Sequence, residues 1–137
     1  MPSRHEDGMT RFLNVDLDII SRKPLEPLVL AFGRRVSPHY VGREGRRYGA
    51  HLALAAYPER ADRAILAFVS LVRRLPASGR RVWDAALTRD FNIGLDAGFR
   101  PQSYELALDP KVVEAVADVR GRIIFTVYAA EMPGQAR

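Results

Sequence analysis

The sequence predicts an α+β fold with a four- or five-stranded sheet, mixed or mostly antiparallel, and helices on one face. Four segments alternate apolar and polar residues like strands with one buried face, and a fifth does so more briefly. Four other segments have apolar residues at helical spacing or recognisable helix ends. The predicted order is β-α-β-α-α-β-(β)-α-β. The strands' apolar sides need a layer of helices to cover them.

The chain begins with a strand and a short helix. In the strand, residues 12–19, apolar residues occupy the odd positions from 13 onward, and polar residues lie between them. The helix is predicted at residues 25–33, LEPLVLAFG. Gly33 is suited to end this helix, and Pro27 fits only within its first turn.

A polar segment precedes the second strand. Residues 33–49 are rich in glycine and arginine and predict a long loop or an exposed hairpin, which Gly42 and Gly45 could turn. The second strand is AHLALAAY, residues 50–57, with leucines on one side and His51 on the other.

Two helices occupy the middle of the chain. Pro58 suits the first position of a helix whose apolar stripe continues to Leu75, and Pro76 ends it. A short amphipathic helix at residues 80–88 carries Trp83. We expect this tryptophan to pack in the core, with an interface anchor as the alternative.

The last third contains the remaining elements. DFNIGLDAG, residues 90–98, predicts a third strand, and SYELAL, residues 103–108, a hairpin partner for it. Asp109 followed by proline starts a helix that runs to Gly121. RIIFTVYA, residues 122–129, is rich in β-branched and aromatic residues and predicts the final strand.

The 137 residues fit one domain. We place it at residues 10–130, with a disordered N-terminal segment at 1–9 and a frayed tail at 131–137. The chain has no cysteine, which excludes thiol nucleophiles, disulfides and cysteine-bound metals. It has no apolar run of the roughly 18 residues that a membrane helix needs and no signal peptide. We therefore expect a cytoplasmic protein without membrane contact.

Enzyme motifs are absent from the sequence, and no cofactor is predicted. His5, His39 and His51 are far apart and form no His-Glu-x-x-His motif. The phosphate-binding, dinucleotide-binding and Gly-x-Ser-x-Gly patterns do not occur either. The sequence therefore favours a protein that is not an enzyme, without deciding the question.

Two similar segments, LNVDLDI and FNIGLDA, place acidic and amide side chains on strands. Asp16 and Asp18 share one strand face, and Asn92 and Asp96 could lie on a neighbouring strand, where oxygen ligands could hold Mg²⁺ or Ca²⁺. The simpler interpretation is the solvated face of a sheet, with the acids paired to Arg122. The same face is predicted to carry four further residues and could instead be a dimer or partner surface. They are His51, Ile124, Thr126 and Tyr128.

The most distinctive local feature is GRRVSPHYVGREGRRYG, residues 33–49. Five arginines oppose one glutamate here and supply most of the chain's net charge of +5. Guanidinium groups bind phosphates and carboxylates, and tyrosines can stack on bases. This segment is a solvated loop or a contact for an anion or acidic partner. Its candidate binding residues are Arg34, Arg35, Tyr40, Arg43, Arg46, Arg47 and Tyr48.

The strand DFNIGLDAG, the polar turn after it, and YELALDPKVVEAVADV leading into RIIFTVY resemble an uncharacterised family of small bacterial α+β domains of unknown function. The likeness covers most of the chain in layout and is most specific in its last third. It implies the α+β fold and, because some members look like immunity or partner-binding proteins, a binding role. It implies no catalytic residues.

These observations predict a non-enzymatic bacterial protein-binding module, with immunity-type binding as one form. The expected partner is another protein or a second copy of the chain. The first alternative is binding of nucleic acid or a phosphate ligand through residues 34–47. A metal-dependent enzyme at Asp16 and Asp18 is the third hypothesis.

Overall fold

A computed structural model of the chain describes residues 7–130. In this part of the chain, five strands form a single mixed sheet and four α-helices accompany it, which confirms the predicted fold class. The strands are β1 Arg11–Ser21, β2 Val36–Glu44, β3 Arg47–Leu54, β4 Thr88–Asp96 and β5 Arg122–Tyr128. The helices are α1 Glu26–Phe32, α2 Ala61–Arg73, α3 Ala77–Ala85 and α4 Pro110–Asp118. The predicted tail at 131–137 and residues 1–6 lie outside the described residues.

The strands lie side by side in the order β2-β3-β1-β4-β5. All neighbours are antiparallel except β4 and β5, which are parallel and are joined through α4. The first strand therefore occupies the centre of the sheet, and β2 and β5 form its two edges. None of the helices within residues 7–130 is long and apolar enough to cross a membrane.

The register assigns alternate residues to two faces. Leu17 lies opposite Leu52 on β3 and Phe91 on β4, and all three are fully buried. Side chains from all four helices join these strand residues in one apolar cluster, so the helices cover this face. The next residue, Asp18, lies opposite His51 and points to the other side, which we call the open face.

Aromatic rings occupy the centre of the core. Trp83 on α3 is fully buried and makes edge-to-face contacts with Phe32 and Phe91, with ring centroids 6.4 Å apart in each pair. Its indole Nε1 donates a hydrogen bond of 2.9 Å to the carbonyl of Val119. The core position predicted for Trp83 is confirmed, and the interface-anchor alternative is wrong because no ring surface is exposed.

The fifth strand comes from a different segment than predicted. Residues 33–49 contain a 3₁₀ turn, Gly33–Arg35, followed by the β2–β3 hairpin, which turns at Gly45 with a φ of 64°. The hairpin alternative is therefore correct. The predicted strand in SYELAL is wrong, because residues 103–109 have no regular structure. Both neighbouring positions of β4 are already taken by β1 and β5, so no edge remained for it to pair with.

Several helix boundaries also differ from the prediction: α3 ends at Ala85 and α4 at Asp118, each three residues early, and two helix starts are displaced. The long helix α2 begins at Ala61, so Pro58 precedes it rather than starting it. Helix α3 begins at Ala77, directly after Pro76, three residues earlier than predicted. Pro76 has an extended backbone, with a ψ of 161°, and α3 starts at the residue that follows it.

Candidate functional site

The predicted arginine-rich site is divided by the hairpin. Arg34 and Arg35 lie on the 3₁₀ turn after α1, whereas Arg46 and Arg47 lie at the hairpin turn. Strand β2 separates the two groups by nine residues, roughly 30 Å at about 3.4 Å per residue. Neighbours in sequence are therefore at opposite ends of a strand, and the seven candidate residues do not form one patch.

The hairpin end uses its aromatic residues internally. The guanidinium carbon of Arg43 lies 5.2 Å from the ring centroid of Tyr48, and its Nη1 donates a 3.2 Å hydrogen bond to the tyrosine hydroxyl. The hydroxyl of Tyr40 donates to the carbonyl of Arg43, and its ring passes over Gly42. Both rings pack on their own hairpin, which gives little support to base stacking at this site.

The open face carries a polar network centred on His51. Its Nδ1 lies 3.0 Å from Oδ1 of Asp18, and its Nε2 contacts Glu44. Asn92 on β4 donates to Asp18 at 3.2 Å, and the hydroxyl of Thr126 on β5 donates to Asn92 at 2.7 Å. Hydrogen bonds thus link side chains on all five strands across this face.

Two groups on the open face have displaced pKa values. Burial lowers the pKa of His51, but the hydrogen bonds to Asp18 and Glu44 outweigh it, so the pKa is raised. Burial and the neighbouring Asp18 charge raise the pKa of Asp16, against weaker opposing effects of His39 and His51. The face therefore favours a protonated imidazole between two carboxylates.

The predicted metal ligands are engaged elsewhere. Asp16 accepts a 3.0 Å hydrogen bond from Asn14, and Asp96 is fully buried. Arg122 forms a two-pronged ion pair with Asp90, at 2.9 and 2.8 Å, rather than with Asp16 or Asp18. Within the described part of the chain, no three histidine or acidic side chains are placed to hold a metal ion. The pairing predicted between these acids and Arg122 is therefore wrong, and Asp16 and Asp18 instead hydrogen-bond to neighbouring side chains on the sheet.

Titration of His51 gives a testable pH dependence. Its folded-state pKa lies above the unfolded value of 6.5, so its contribution to stability is full below that pH and is lost as the pH rises through the folded pKa. The side chain is 36% exposed, and screening keeps the effect below about 1 kcal/mol. We expect the stability advantage of the native chain over His51→Gln, measured by urea unfolding, to shrink between about pH 6 and about pH 9. His39→Gln is the matched control, since this ring makes only a 4.0 Å contact with Asp16. An advantage that grows with pH would contradict the assignment.

The two edges of the sheet differ in character. Edge strand β2 has a proline, Pro38, an irregularity in register after it, and charged residues near its end. Such features prevent pairing with further strands. Edge strand β5, RIIFTVY, contains no proline and only one charge. Phe125, Val127 and Tyr128 on it are 51%, 60% and 45% exposed. The predicted partner surface includes Tyr128 but lies on the open face, and the prediction does not include the edge of β5.

A second feature is a groove beside Arg34 and Arg35. It lies between the 3₁₀ turn, the end of β3 and helix α2, and Arg74 at the end of α2 completes its basic rim. Sequence reasoning missed Arg74, because only the packing of α2 against the sheet brings it to residues forty positions earlier.

Comparison of the chain with models of known protein families, with curated proteins and with solved structures finds no significant match. The resemblance to small bacterial domains of unknown function therefore stays a prediction.

Proposed function

We propose that this chain is a non-enzymatic protein-binding module that pairs through the edge of β5, and that its occupant is β5 of a second copy. The observation that supports this most directly is the contrast between the two edges. Strand β2 has a proline, a register irregularity and charged residues, which block strand addition, whereas β5 presents an apolar, nearly uncharged edge. Exposed apolar edges of this kind are sites of strand addition.

Self-pairing is favoured by the composition of β5. In an antiparallel pair centred on Phe125, this residue meets its own copy, and Arg122 meets Tyr128 of the second copy. The β-branched residues between them also face each other. No like charges are opposed in this register, and aromatic and β-branched pairs stabilise antiparallel strands. A symmetric contact of this type closes after two copies.

The open face is a weaker candidate for the interface. Its central polar groups already satisfy one another through the hydrogen bonds around Asp18 and Asn92. A partner covering them would desolvate charged groups without adding new apolar contact. We therefore place the contact at the edge, with the open face contributing only the side chains next to it.

The absence of cysteine allows a direct test of the register. In Phe125→Cys, the single thiol would lie at the symmetry axis of the pair, within the spacing that a disulfide needs. We expect this variant to form a disulfide-linked dimer under mild oxidation. Leu30→Cys is the matched control because this residue, on α1, is 80% exposed and distant from β5 in the fold.

Sedimentation of the native chain at several concentrations completes the experiment. We expect a reversible dimer that Val127→Lys converts to a monomer, with an unchanged circular dichroism spectrum. The equivalent change Leu30→Lys should leave the dimer intact. A native chain that is monomeric at every concentration, or equal crosslinking of both cysteine variants, would reject self-pairing. The immunity-type role, which needs a different protein as partner, would then be favoured.

A further inference from the structure

The groove beside the 3₁₀ turn has the size and lining of a small-molecule site. Its volume is about 510 Å³, within the usual range for ligand pockets, roughly 300–1,000 Å³. A smaller recess of about 190 Å³ adjoins it and shares Arg35, Leu71 and Arg74. The lining of the larger groove includes Arg34, Arg35, Leu54, Ala67, Leu71 and Arg74.

Three arginines and Ser70 supply the polar side chains of this lining. The backbone of the 3₁₀ turn is fixed by a 2.9 Å hydrogen bond from the amide of Ala55 to the carbonyl of Arg35. Ser70 orients the side chain of Arg74. The Nη2 of Arg74 donates a 3.1 Å hydrogen bond to the Ser70 hydroxyl. The ion pairs found within residues 7–130 involve neither Arg34 nor Arg35 nor Arg74.

The remaining walls of the groove are apolar. Leu54 ends β3, and Ala67 and Leu71 lie on the side of α2 that faces it. A ligand seated here would meet positive charge on one side and aliphatic side chains on the other. Inorganic ions alone would leave the apolar walls uncovered, and neutral apolar molecules would leave the guanidinium groups unpaired.

We propose that this groove binds a small organic anion. A phosphate or carboxylate head group contacts Arg34, Arg35 and Arg74, and an apolar body lies against Leu54 and Leu71. Guanidinium groups suit either head group because both present paired oxygens to the planar donors. Nucleic acid is less well matched, since Tyr40 and Tyr48 pack on their own hairpin and do not line the groove. This proposal is independent of self-pairing, because the groove adjoins β3 and β2, at the opposite side of the sheet from β5.

Calorimetry at low salt with four probes tests the contributions of the anionic head group and of the apolar body separately. Hexyl phosphate and hexanoate carry both head group and body, hexanol has only the body, and inorganic phosphate has only the head group. We expect one or both of the amphipathic anions to bind more tightly than inorganic phosphate, and hexanol not to bind. The stronger of the two identifies the preferred head group. Failure of both amphipathic anions to bind would overturn the proposal.

Variants then locate the site. Arg34→Gln and Arg74→Gln should each weaken binding of the better anion about tenfold or more, as expected when a charge-assisted hydrogen bond is lost. Arg73→Gln is the matched control, because this arginine is adjacent in sequence but pairs with Asp118 at 3.8 Å. Unchanged binding in both Arg34→Gln and Arg74→Gln would place the anion elsewhere and overturn the proposal. Binding of a mixed-sequence DNA duplex that is tighter than that of either anion, and is lost in the same two variants, would also overturn it.

Discussion

Replacement of Trp83 by alanine is expected to lower the free energy of unfolding by about 3–5 kcal/mol, a large fraction of the roughly 5–15 kcal/mol typical of a domain. The indole is fully buried and contacts Phe32 and Phe91, so its removal leaves a cavity among rings that cannot all move inward. It also leaves the carbonyl of Val119 without its donor. Urea unfolding followed by circular dichroism measures the change, because Trp83 is the chain's only tryptophan and its fluorescence is lost in the variant.

Trp83→Phe separates the contribution of ring packing from that of the hydrogen bond to Val119. This variant keeps an aromatic ring in the cluster but removes the indole donor to Val119. We expect it to cost about 1–3 kcal/mol, the usual penalty for a buried carbonyl left unsatisfied together with a reduced ring. If Trp83→Ala instead retained native stability, the central position of this ring in the core would be refuted.

The elements that could be predicted from sequence are those whose burial follows a simple period. Strand β1 alternates buried and partly exposed residues along its central part, from Val15 to Ser21, because helices cover one of its faces and the polar network lies on the other. Strand β2 gives no such signal, since it lies at the edge and only Val36 on it is buried. The segment around Leu106 and Leu108 alternates for another reason. Both leucines pack on the core from an irregular stretch, so their spacing imitates a strand.

The site could be predicted only where it depends on a single strand. Asp16 and Asp18 were placed on the same face by alternation alone, and the structure agrees. The partner of His51 on β2, Glu44, depends on the hairpin register and on the irregularity between Pro38 and Tyr40. A period along one strand contains no information about a register shift in its neighbour.

The edge and the groove depend on still longer-range features. Strand β5 reads as an ordinary apolar strand, and only the strand order shows that one side of it has no neighbour within residues 7–130. The groove requires α2 to pack so that Arg74 approaches the turn at Arg35. Helix packing is set by the summed contacts of the core, which composition and spacing do not reveal.

Gly121, just before β5 begins, lies in closely packed surroundings. A Cβ atom at this position would lie 2.8 Å from Cδ2 of Phe91 and 2.9 Å from Cγ1 of Val116, closer than packed carbon atoms approach. Both neighbours are buried, so neither can move away freely. We expect Gly121→Ala to cost about 1–3 kcal/mol or more through overpacking. Gly33→Ala is the control for backbone strain without crowding: its φ of 71° and ψ of −146° lie in a region almost exclusive to glycine, so strain of about 1–3 kcal/mol opposes the methyl group although the space around it is open.

A double-mutant cycle with Phe91→Leu tests the cause. The smaller side chain removes the ring that the new methyl group would meet, so the combined variant should be more stable than the sum of the single changes predicts, by about 0.5–3 kcal/mol. Additive costs would mean that the ring does not restrict Gly121. Coupling would show that the Phe91 ring limits the space at Gly121, just before β5. In that case, Gly121→Ala should also weaken β5 self-pairing, and Phe91→Leu should restore it together with stability.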